Sequence, residues 1–235
     1  MKKVLLSSAV MALFASGASA AVFDIDFSVN SAVLPQSSLS FNDAGGSGLT
    51  LDVTASEYNI FSGALQSPSY SVGQYFGGLG VCSGTVTDSG DGCSGDNHQV
   101  DGSNGDEIVI FSFSDVVEIL SVTLSLVGGN DQFDFITYEP DNEGLIWSVD
   151  PAGTGTVTTN TADFVNTASL YPGPQSFTGS LFGVGAPLGN DEFKITGLSF
   201  DYTPAPVPLP AAGWMLIAGI GGLAAMRRRQ TKTAA

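Results

Sequence analysis

Ile108-Val109-Ile110-Phe111-Ser112-Phe113, followed by the stretch from Ile119 to Val127, decides the fold. The first run is apolar almost without a break and suits a buried strand. The second alternates through Val122, Leu124 and Leu126, the period-two pattern of a strand with one face on a core. Working outward, Val22-Phe23-Asp24-Ile25-Asp26-Phe27 alternates in the same way. Leu49-Thr50-Leu51-Asp52-Val53 repeats the pattern after the turn-forming residues Asn42 to Gly48. Phe133-Asp134-Phe135-Ile136-Thr137-Tyr138 and Leu145-Ile146-Trp147-Ser148-Val149 flank Pro140-Asp141-Asn142-Glu143-Gly144, a hairpin-type loop. Ser176 to Val184 and Phe193 to Tyr202 complete the set. No stretch between Ala21 and Thr203 carries a helical period. The expectation is an all-β body, a single β-sandwich of jelly-roll type, with its strand order left open.

The two ends of the chain read differently. Lys2 and Lys3 precede an apolar run from Val4 to Phe14, and Ala18-Ser19-Ala20 is an A-x-A cleavage site. This predicts a signal peptide over 1–20, read by the Sec translocon and signal peptidase, with Ala21 as the first mature residue. At the other end, Val207-Pro208-Leu209-Pro210 leads into an uncharged run from Ala211 to Met226 and then Arg227-Arg228-Arg229. As a helix the 16-residue run spans about 24 Å, short of a hydrocarbon core of about 30 Å, and Val207 to Pro210 lengthens it. Trp214 suits the outer interface, and the arginines predict a cytoplasmic end. The expected plan is therefore a body over 21–203, a proline-rich linker and motif over 204–210, a membrane helix over 211–226 and a basic tail over 227–235. Pro204, Pro206, Pro208 and Pro210 alternate, which favours an extended spacer.

This tail of motif, short apolar helix and arginines resembles the PEP-CTERM class of sorting signals in its VPLPA variant. The resemblance covers Val207 to Arg229, with Ala211 completing the motif. It departs from the commonest form at Leu209, where that form has a glutamate. It implies handling by an exosortase-type membrane enzyme, as in Gram-negative bacteria that make exopolysaccharide. It also implies a transient inner-membrane anchor, removal of the tail, and delivery to the cell surface or extracellular matrix.

Charge narrows the partners. All 23 acidic residues lie in the body, where Lys194 is the one basic residue, a net −22 with His98 neutral. Such a body repels nucleic acid and anionic lipid, and without arginine it lacks a bidentate clamp for phosphate. Cations and neutral surfaces, exopolysaccharide among them, are the favoured partners. Cys82 and Cys93 are the only cysteines, so export predicts a disulfide between them.

Two internal echoes stand out. Gly129-Asn130-Asp131-Gln132-Phe133 recurs as Gly189-Asn190-Asp191-Glu192-Phe193, each before a strand, for which turn chemistry is a sufficient explanation. Asp91-Gly92-Cys93-Ser94-Gly95-Asp96 recurs as Asp101-Gly102-Ser103-Asn104-Gly105-Asp106. Asp88, Asp91, Asp96, Asp101, Asp106 and Glu107 could supply calcium with hard oxygens, while the glycines let the backbone turn tightly. An acidic loop built of ordinary turn formers explains the same residues, and the spacing is not that of an EF-hand. The stretch Gly80 to Phe113 is also similar to an Asp/Gly-rich segment with a histidine found before a strongly apolar strand in PEP-CTERM exoproteins.

Catalysis has little to build on. His98 would have to be the base of any Ser-His-Asp triad, and no G-x-S-x-G elbow occurs. A zinc site would need more than one histidine and reduced cysteines. A glycosidase needs only two carboxylates, so that chemistry stays open. The expectation is a non-enzymatic structural or adhesive protein. A calcium-dependent carbohydrate-binding module is the alternative.

Overall fold

The computed structural model describes residues 19–29, 32–87, 92–95, 97–103, 105–128, 131–138, 144–149, 161–163, 177–204 and 218–223. The chain divides into a compact body, Ala20–Thr203, and its two ends, Met1–Ser19 and Pro204–Ala235. In the ends, residues 218–223 are helical. Among the described residues no helix is long and apolar enough to cross a membrane. The sorting motif, the arginines, Ala18, and the rest of the expected membrane helix lie outside the described residues.

The body is all-β. Its early strands are β1 (Ala21–Asp26), β2 (Val33–Gln36), β3 (Leu39–Phe41), β4 (Leu51–Tyr58), β5 (Leu65–Tyr75) and β6 (Gly78–Cys82). Short pieces follow at β7 (Thr85–Val86), β8 (Cys93–Ser94) and β9 (Val100–Asp101). Then come β10 (Glu107–Ser125), β11 (Phe133–Tyr138), β12 (Gly144–Val149), β13 (Thr161–Asp163), β14 (Thr178–Gly185) and β15 (Glu192–Tyr202).

β10 is the spine. Its first half lies between β4 and β14, and its second half pairs with β15 and β13. The register against β14 shifts between Ser112 and Val117, a bulge that bends the strand while Ser114, Asp115 and Val116 face solvent. Because of the bend, one edge of β10 carries β4 first and β15 further on. From β4 the pairing runs on through β5 and β6 to β15, and so back to β10. The expectation of a sandwich is corrected here: the pairings close a ring in a single network, a β-barrel, in place of two stacked sheets. A bulged strand that turns the corner joins what would otherwise be facing sheets edge to edge. β11 extends from β14 and pairs with β12 from Tyr138↔Gly144, and the expected loop residues 140–143 lie outside the described residues.

Burial follows the two periods of the spine. Ile108 to Phe111 is buried without interruption, whereas Val117, Ile119, Val122 and Leu124 alternate with exposed or half-exposed neighbours. The continuous stretch has a core on each face. Val109, Phe111 and Phe113 enter the main core with Phe27, Phe135, Phe182 and Phe200. Ile108 and Ile110 point the other way, into a small second core with Tyr58, Ile136 and Tyr138. The loop after β4 reaches this second core, where Tyr138 Oη donates to Gly63 O at 3.1 Å.

The ring is narrowest at β6–β15, where one pair, Leu79↔Ile195, makes the junction. Gly78 allows it. Its φ is +126°, and a Cβ there would stand 2.7 Å from Ile195 C and 3.0 Å from Thr196 N.

Candidate functional site

The Asp/Gly-rich segment after β6 returns to fill that narrow junction. Cys82, at the end of β6, is disulfide-bonded to Cys93, with Cα atoms 5.8 Å apart, so the expected bridge is formed. Beyond it, Gln99 O accepts from Val81 N at 3.1 Å, and β9 pairs with β15 through Val100↔Phe193 and Asp101↔Glu192. Asn97 Nδ2 donates to Glu192 Oε2 at 3.0 Å, while Asn97 Oδ1 accepts from Gln99 N at 3.1 Å. Residues 97–101 thus form a strap alongside both strands of the junction. His98 sits in it with φ +61°, an unfavoured left-handed conformation for a residue with a Cβ. Its ring meets Tyr75 edge-on at 5.1 Å, and Lys194 Nζ stands 4.3 Å above the same Tyr75 ring. The one histidine and the body's one lysine therefore share an aromatic partner. Nothing in sequence spacing signals that meeting.

Of the six residues weighed for calcium, Asp88, Asp91 and Asp96 lie outside the described residues. Asp101 and Glu107 are buried, and Asp106 is half-buried. Asp101 Oδ1 accepts from Ser103 N at 2.8 Å and Ser103 Oγ at 2.6 Å, which is turn chemistry. Glu107 Oε2 accepts from Asp101 N at 3.0 Å. Burial raises the Asp106 carboxyl above its ordinary value, and the charges of Glu57 and Asp134 raise it further. Among the described residues no group of three or more His, Cys, Asp or Glu side chains is arranged to hold a metal.

The other echo is brought together in space. Asp191 Oδ2 accepts from Leu188 N at 2.9 Å within its own turn. Asp191 Oδ1 reaches across to Gln132 N of the other copy at 3.0 Å. The following phenylalanines, Phe133 and Phe193, meet with ring centroids 6.2 Å apart. Asp131 accepts from Gly128 N, and Asp134 Oδ2 accepts from Tyr58 Oη at 2.9 Å. Asp131, Asp134 and Asp191 are all buried. Burial pushes the Asp191 carboxyl up to about 6 against two backbone hydrogen bonds that lower it, and the Asp131 and Asp134 charges add to the rise. The repeated turn motif was legible as turn chemistry. That its two copies hold each other was not.

The most exposed aromatic side chains among the described residues are Phe61, 89% exposed before β5, and Phe76, 81% exposed just after it. They stand at opposite ends of that strand and form no shared platform. Comparison with models of known protein families, with curated proteins and with solved structures returns no match.

Proposed function

We propose that the chain is an exported protein, sorted by its C-terminal tail to the cell surface or exopolysaccharide matrix, where its acidic β body has a structural or adhesive role. The observation that carries this reading is the fit between the body and the expected processing points. β1 starts at Ala21, the first residue after the A-x-A site, and pairs in register with the end of β15, Ala21↔Tyr202. The expected cleavage points thus fall just before β1 and after β15, the outermost described strands of the body in the sequence. The Cys82–Cys93 bridge supports the same reading, since such bonds persist in oxidising compartments. The partners are an exosortase-type enzyme at the tail and a neutral polymer around the body.

Mass spectrometry of the mature protein from an exosortase-bearing host tests this. The expected product begins at Ala21 and lacks peptides after about Pro210. Full-length tail retained in the inner membrane would overturn it. Alanine at both Pro208 and Pro210 should cause retention. The alternative, a calcium-dependent carbohydrate-binding module, draws on the acidic sequence echo that includes Asp101, Asp106 and Glu107. Thermal unfolding with and without millimolar calcium separates the two, because an ion at tenfold excess over Kd adds about 1.4 kcal/mol. The separation of Phe61 from Phe76 favours the matrix role over stacked sugar recognition.

A further inference from the structure

We infer that the Cys82–Cys93 bridge is a latch for the barrel, whose redox state decides whether the β6–β15 junction is closed. The two strands meet through Leu79↔Ile195 alone, so the ring depends on what lies beside that pair. The strap over residues 97–101 supplies it. It gives β6 an acceptor at Gln99 O, gives β15 two register partners, and buries Val100 in the main core with Leu79, Val81, Phe193 and Ile195. The strap also has non-covalent ties, Asn97 Nδ2 to Glu192 Oε2 and Gln99 O to Val81 N. His98 is in a left-handed conformation, and its backbone oxygen crowds the space a Cβ would need at Gly80. The bridge adds a covalent tie, joining the residue directly after Val81 to the start of the returning segment.

Closing the latch converts two thiols to a disulfide, releasing two protons and two electrons. The acceptor is a thiol-disulfide exchange partner whose own disulfide is reduced to a dithiol. In a reducing compartment the thiols persist and the junction stays open. The latch then shuts after export, a timing that rests on the proposed export. The latch itself does not depend on that reading, and its test is made on the purified full chain.

Amide hydrogen exchange is compared between oxidised protein, reduced protein and the C82S/C93S variant. Opening should cost Val81, Val100, Phe193 and Ile195 protection on the order of 100-fold, the factor equivalent to releasing a loop of this length. Val53 and Val109, on the far side of the ring, should keep theirs. An equal loss at every amide would overturn the latch, since the bridge would then act only on the unfolded chain. No loss at the junction would overturn it as well. If the serine variant fails to fold, wild-type protein reduced and alkylated under native conditions carries the same comparison. The same four amides should lose protection, and their persistence would refute the inference.

Discussion

Gly78→Ala tests the closure of the ring directly. Gly78 has φ +126°, and an added Cβ would fall 2.7 Å from Ile195 C and 3.0 Å from Thr196 N, with Ile195 O nearer still. The obstruction is backbone, so no side chain can swing aside. The positive φ alone costs about 1–3 kcal/mol for a residue with a Cβ. Relieving the overlap means moving β6 off β15, which sacrifices Leu79↔Ile195 and admits water beside buried Leu79 and Ile195. Together these amount to roughly 3–5 kcal/mol, at the upper end of what single substitutions do. Gly46→Ala is the control. Its φ is +83°, but nothing lies within 4 Å of the added Cβ, so its cost is the conformational part alone, about 1–2 kcal/mol. For a body of this size each kcal/mol moves Tm by about 2–4 °C. Circular dichroism melts of the oxidised body should place Gly78→Ala well below Gly46→Ala, by about 5 °C or more. Equal midpoints would mean that β6 and β15 do not approach as described and that the ring is open there.

Other expectations concern the carboxylates. Asp191 has its carboxyl raised from 3.8 to about 6, so between these values the folded state binds more protons than the unfolded one. Stability should therefore rise on acidification from pH 7 to pH 4 and fall again as pH climbs through 6. Asp191→Asn should flatten that part of a Tm–pH profile, and a wild-type Tm that falls between pH 7 and pH 5 would refute the assignment. Tyr58→Phe removes the donor to buried Asp134 Oδ2. It should lower stability by about 1.5–3 kcal/mol in urea titration, as for a lost hydrogen bond to a charged group. A change under 0.5 kcal/mol would show that Asp134 does not depend on it.

The strands legible in the sequence were those whose apolar residues run together or alternate strongly, whether one face or both are buried. Phe133–Tyr138 appears with the expected limits, and the expected strands from Val22, Ser176 and Phe193 reappear as β1, β14 and β15 with ends moved by a residue or two. The turn from Asn42 to Gly48 is a 3-10 turn at Ala44–Gly46, with Asp43 Oδ1 accepting from Gly48 N at 2.7 Å. β5 was missed because Leu65 to Tyr75 is rich in serine, with Pro68 and Gly73 inside it. Gly73 and Gly80 are small because the Tyr75 ring and His98 O press against them, a reason visible only in three dimensions. Ring closure was illegible too. It depends on which edge of β10 each neighbour takes after the bulge at Ser112–Val117, and hydrophobic period carries no information about edges. At the candidate site the pairing of the cysteines followed from their number, while the strap they tether did not. It is made by backbone pairing at Gln99, Val100 and Asp101, and these residues carry no motif.

The pairing of Ala21 with Tyr202 also sets how the body bears mechanical load. Both ends of the sheet lie at the same end of β1 and β15, so tension applied between the two termini peels these strands apart one rung at a time. Tension that enters at Thr203 and is resisted at the other end of β15, where Lys194 pairs with Ser125, runs along the strand instead. In that direction β15 can slip only if its ladders to β1 and β10 shear together. A body held by its C-terminal side and pulled from the far end is loaded in its strong direction.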